Sequence, residues 1–81
     1  MDLENKIRSI HTLLQNKKFI QVKEELDELL NKIPNNSYLQ NLRGLTSQYL
    51  NDYNSSINFF NQAIKNDQKN TAAMNNLANS H

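Results

Sequence analysis

Two histidines and eight carboxylates are the side chains through which this chain could move protons or hold a metal ion. Their spacing suits neither task. A helical metal site needs ligands three or four residues apart on one face, and neither His11 nor His81 has a histidine or carboxylate so placed. Asp27 and Glu28 belong to a charged helix face and read as solvated carboxylates. No cysteine is present, which removes thiol nucleophiles, disulfides and thiolate metal sites. The single glycine, Gly44, cannot build a glycine-rich phosphate loop. The expectation is a protein that is not an enzyme and carries no cofactor and no metal.

Charge is equally uninformative about a partner. The net charge of +1 offers no field to draw nucleic acid or an anionic membrane. The basic residues, Arg43 among them, alternate with acids and read as solvated surface. The segment Met1–Ile10 lacks a basic stretch followed by an apolar core, so it is not read as a secretory signal. No apolar run approaches the roughly 18–20 residues needed to cross a bilayer. The expected compartment is the cytoplasm, where the sequons at Asn35 and Asn54 carry no meaning.

The elements that would carry any site are helical throughout. Leu3, Ile7, Ile10 and Leu14 recur at helical spacing behind an N-cap expected at Asp2. A second helix begins near Phe19 and carries Val22, Leu26, Leu29, Leu30 and Ile33 on one side until Pro34 stops it. On its other side Lys23 and Asp27 form an attractive pair four residues apart. The spacing predicts a third helix over Tyr38–Leu50, with Gly44 inside it at a cost of about 1 kcal/mol relative to alanine. A glycine there is expected to admit a neighbouring helix closely. A fourth helix follows over Tyr53–Asn66, and a fifth starts at Thr71 with Asn70 or Thr71 as its cap. Connections this short make consecutive helices antiparallel neighbours.

The chain also overlays on itself when shifted by 34 positions. Phe19 then falls on Tyr53, Leu26 on Phe60, Leu29 on Ala63, Leu30 on Ile64 and Asn36 on Asn70. A fixed period of this length marks a stacked repeat, in which each unit covers its neighbour's apolar face.

In the middle unit Gly44, the Asn51-Asp52-Tyr53 turn, Ser56, Phe60, Ala63 and Ile64 stand at the positions of a tetratricopeptide repeat, and the chain resembles that family. The first unit matches through Phe19, Leu26 and Pro34. It departs at Ile10 and Val22, where small residues are usual, so its two helices are expected to splay further apart. Residues 73–79 resemble the opening helix of a further unit. The fold implied is an all-α, right-handed α-solenoid of five helices in antiparallel pairs. It is one domain over residues 1–81, with repeats at about 3–36 and 37–70 and a first or capping helix at 71–81.

The resemblance further implies that the first helices line a concave groove for a peptide. The residues expected there are Glu4, Ile7, His11 and Leu14 from the first unit; Tyr38, Asn41, Leu45, Gln48 and Tyr49 from the second; and Ala72, Asn75 and Asn79 from the third. Rings supply contact area and amides can pair with a peptide backbone. The family's basic clamp for a carboxylate tail would fall at Ile7, His11, Leu42, Ala72 and Asn76, where no lysine or arginine stands. An asparagine ladder would include Asn76 and Asn79 but is broken by Arg8, Leu42 and Leu45.

The function expected is a non-catalytic interaction module, a scaffold for a protein or peptide partner. The alternative is the N-terminal repeat segment of a larger glycosyl- or sulfotransferase-like enzyme that recruits protein substrates. The fifth helix reads as part of a third unit cut short, which leads us to expect weak self-association through Met74 and Leu77.

Overall fold

The chain reverses direction after Gln15 and again after Tyr49 by the same device. Lys17 and Asn51 both adopt left-handed backbone, with φ of 59° and 64°. In the first turn the Lys18 amide donates to the Leu13 carbonyl and the Lys17 amide to that of Leu14; in the second, Asp52 and Asn51 donate to Ser47 and Gln48. This pairing closes a helix by satisfying carbonyls that have no partner further along the chain. Asparagine tolerates left-handed backbone better than lysine does.

The structure, a computed structural model, describes residues 3–79 without the side chain of Asn79. The cap expected at Asp2 and the second histidine, His81, lie outside the described residues. The helices are α1 (Leu3–Gln15), α2 (Phe19–Lys32), α3 (Ser37–Tyr49), α4 (Tyr53–Asn66) and α5 (Thr71–Asn79). The protein is therefore all-α, with no strand among the described residues. Every bound of α3 and α4 follows that of α1 and α2 by 34 residues (3 to 37, 15 to 49, 19 to 53, 32 to 66), and α5 starts 34 after α3. The third helix starts and stops one residue earlier than the apolar spacing predicts. At its start the Asn36 side chain accepts from the Leu39 amide, and its end is fixed by the turn at Asn51. Asp52 and Asn70 cap α4 and α5 in the same way, through the Ser55 and Ala73 amides.

Consecutive helices pack against each other. The start of α3 meets the end of α4, where the Ser37 hydroxyl donates to the Ala63 carbonyl and Asn66 Nδ2 to Gln40 Oε1. That pair is antiparallel. It is also the closest, because Gly44 admits the Phe60 ring. In the first unit Ile10 and Leu26 stand at the corresponding positions, both fully buried, and α1 and α2 approach each other over less of their length. Ile10, Val22, Leu26, Leu29, Leu39 and Leu42 form one core cluster that joins the first unit to α3. Phe60, Ala63 and Ala73 carry burial on through α4 to α5. No helix among the described residues is long and apolar enough to cross a membrane.

Arg43 corrects the sequence reading. It is not a surface cation: only 6% of it is exposed. Its Nε donates to Asp27 Oδ1 at 2.7 Å, a second nitrogen donates to Ser47 Oγ at 2.6 Å, and the guanidinium lies 4.8 Å from the centre of the Phe59 ring. Asp27 thus pairs across the unit boundary with Arg43, not along its own helix with Lys23. A guanidinium suits this place because its planar fork serves two acceptors while its face stacks on a ring.

Candidate functional site

The expected groove depends on α1, α3 and α5 standing side by side, and hydrogen bonds among the described residues relate them. His11 Nε2 on α1 lies 2.6 Å from the Tyr38 hydroxyl on α3, with the rings tilted at 52°. Asn76 Nδ2 on α5 donates to Asn41 Oδ1 on α3 at 3.0 Å. Gln48 Nε2 donates to the Asn76 carbonyl at 3.4 Å. Each spans the gap between successive units, so several polar groups expected to meet a peptide also tie the units together. Asn41 is more than nine-tenths buried as a result.

The remaining expected residues divide by burial. Ile7 and Leu14 are half-buried and pack against the core cluster, and Leu45 is half-buried as well. Glu4, Ala72 and Asn75 are exposed. Tyr49 is exposed too, but it does not join Tyr38. Its ring stacks on Phe19 at 4.6 Å between centroids and 7° between planes, on the α2–α3 seam. The side chain of Asn79 lies outside the described residues.

Three of the twelve, Tyr38, Asn41 and Ala72, line one cleft of about 310 Å³ between the starts of α3 and α5. Ser37, Asp67, Lys69, Asn70 and Thr71 complete it. Asn70, expected as a cap, does two jobs: its Oδ1 accepts from the Ala73 amide and its Nδ2 donates to Ser37 Oγ. The loop of residues 67–70 could have been included from the period alone, since it precedes α5 as residues 33–36 precede α3. One acid and one base, Asp67 and Lys69, leave the cleft close to neutral. Its chemistry is that of hydroxyls, amides and one ring 45% exposed, Tyr38. Such a surface can accept and donate hydrogen bonds and cover a small apolar side chain.

A depression of about 410 Å³ lies elsewhere, between α1 and α2, where Gln21, Glu24, Glu25 and Glu28 surround Leu13. It shares no residue with the groove. Among the described residues no three histidines or carboxylates gather as a metal site would require. Asp52, whose carboxyl is held clearly below its ordinary range, owes this to its hydrogen bonds from Ser55 at the start of α4 and has no part in the groove.

No protein-family model matches the chain, and no curated protein matches it either.

Proposed function

We propose that this protein is a right-handed, tetratricopeptide-like helical stack serving as a non-catalytic interaction module that holds a peptide segment across α1, α3 and α5. The observation that carries this reading is the cleft shared by Tyr38 and Asn41 of α3 and Ala72 of α5. Residues 34 positions apart (38 to 72) line one concavity, as a groove running across successive units requires. The identical helix bounds in both units support the stacked architecture. The near-neutral lining favours an uncharged segment, held by its backbone and one small side chain, over an acidic tail.

Selection of displayed peptides on the isolated protein, followed by mapping of the best binder by NMR, tests the reading. Resonances of Tyr38, Asn41 and Ala72 should move together, and Ala72→Arg should weaken binding about tenfold or more while leaving the melting curve in place. Binders that move none of these resonances would overturn it.

A further inference from the structure

Where the start of α1 meets the end of α2, five residues line a notch of about 250 Å³ that the groove does not use: Leu3, Lys6, Leu29, Lys32 and Ile33. Its floor is apolar and its rim carries two ammonium groups. Leu3 is 36% exposed, so part of that floor faces solvent.

The second unit shows the same place filled. A shift of 34 carries Leu3, Lys6, Leu29 and Lys32 onto Ser37, Gln40, Ala63 and Asn66. There the Ser37 hydroxyl donates to the Ala63 carbonyl at 2.9 Å and Asn66 Nδ2 to Gln40 Oε1 at 2.8 Å. Gln40 Nε2 donates in turn to the Pro34 carbonyl at 2.8 Å, so an oxygen from the residues before α3 reaches this position. In the first unit leucines replace the hydroxyl and the alanine, and two lysines replace the bonded amides. Two ammonium groups cannot close that gap on each other, whereas an anionic oxygen between them can.

The lysines have capacity to spare. Lys6 Nζ stands 3.8 Å from Glu25 Oε2, and Lys32 Nζ 3.9 Å from Glu28 Oε1. Both separations exceed hydrogen-bond length; the Lys32 pair is exposed and the Lys6 pair half-buried, and ion pairs held this loosely contribute little. An ammonium has three donors, and one distant carboxylate does not occupy them.

We propose that this notch docks an acidic segment of a partner protein. A leucine- or isoleucine-sized side chain rests on Leu3, Leu29 and Ile33, and a neighbouring carboxylate sits between Lys6 and Lys32. Glu25 and Glu28 stand just beyond the lysines, so a single carboxylate suits the site and a run of them does not. The site shares no residue with the cleft at Tyr38 and stands or falls separately from it.

The probe is the acetylated, amidated peptide Gly-Ser-Leu-Asp-Ser-Gly, titrated into methyl-labelled protein and followed by NMR. Saturable shifts of the Leu3, Leu29 and Ile33 methyls are expected. Lys6→Glu and Lys32→Glu should each weaken binding about two- to fivefold, the effect of one exposed ion pair, and added salt should weaken it too. Replacing the peptide's aspartate by asparagine should weaken binding to a similar extent. Unmoved notch methyls, equal binding of the asparagine peptide, or shifts at Tyr38 and Ala72 alone would each overturn the assignment. So would notch shifts that appear when the protein is concentrated without peptide, because a second copy would then be the occupant.

Discussion

Gly44 lies so close to Phe60 that a β-carbon at this position would stand 2.5 Å from Cε1 of the ring and 2.6 Å from Cδ1. Glycine weakens α3 by about 1 kcal/mol relative to alanine. The fully buried Phe60 ring offsets that loss by filling the space the missing side chain leaves. Gly44→Ala should therefore destabilise the protein despite its better helix propensity, by about 1–3 kcal/mol, the usual result of overpacking. Urea denaturation checks it, and adding Phe60→Leu should recover part of the loss. A Gly44→Ala protein more stable than the parent would show that the ring can withdraw.

The Asp27–Arg43 pair should respond unevenly to truncation. The Arg43 side chain is 7% exposed and that of Asp27 45%. Asp27→Asn leaves a buried cation with a weakened partner and should lower stability by about 1–3 kcal/mol. Adding Arg43→Met removes the charge that needed the partner, so the double variant should melt closer to the parent than Asp27→Asn alone. Thermal unfolding of both proteins decides the order.

The left-handed turn at Lys17 is open to improvement. Glycine has no β-carbon to strain there, so Lys17→Gly should stabilise the protein by about 0.5–1 kcal/mol, after allowing for the greater freedom glycine gives the unfolded chain. Asn51→Gly should gain less, because asparagine already tolerates the conformation. Comparing the two denaturation midpoints tests the ranking.

Acid should loosen the start of α4. Hydrogen bonds from the Ser55 side chain and amide hold the Asp52 carboxyl below its ordinary value of 3.8, with Arg43 and Lys23 adding smaller attractions. A group whose folded value is depressed contributes its stability above the unfolded value and loses it as pH falls through the folded one. This contribution is thus present above pH 3.8 and disappears on further acidification. Asp52→Asn keeps a capping side chain but cannot titrate, so its melting temperature should fall less steeply below that pH. Parallel pH–melting curves would remove Asp52 from the account.

Much of the fold was legible because its signals are local. The turn at Asn51-Asp52, the caps at Asn36 and Asn70 and the stop at Pro34 lie within a few residues of what they control. Gly44 signalled a close approach, although nothing local names Phe60 as its cause. Arg43 was missed because its carboxylate lies 16 residues earlier on another helix, outside any four-residue pattern. The repeat does not reveal it either, since positions 9 and 77 carry serine and leucine. In the groove, the bonds His11–Tyr38 and Asn41–Asn76 span 27 and 35 residues. The second spacing is one more than the period, as expected for facing positions on successive first helices. The first is two helical turns shorter, and sequence alone gave no reason to prefer it.

The identical spacing of helix bounds and turns makes residues 37–70 a removable cassette. A second copy inserted after Asn70 would begin where α5 now begins, with Asn70 as its cap and the parent Thr71 following the new unit's own asparagine. Length could thus grow in whole units without a new junction having to be invented. Two contacts would not survive the copying: the duplicated tyrosine would face Leu45, which stands 34 residues after His11 and cannot bond its hydroxyl. The duplicated arginine would face Asn61, which stands 34 residues after Asp27, and an uncharged amide would replace the carboxylate. The seam between the two existing units is in that respect individual, and a lengthened chain would first come apart at the added seam, where the pair is missing.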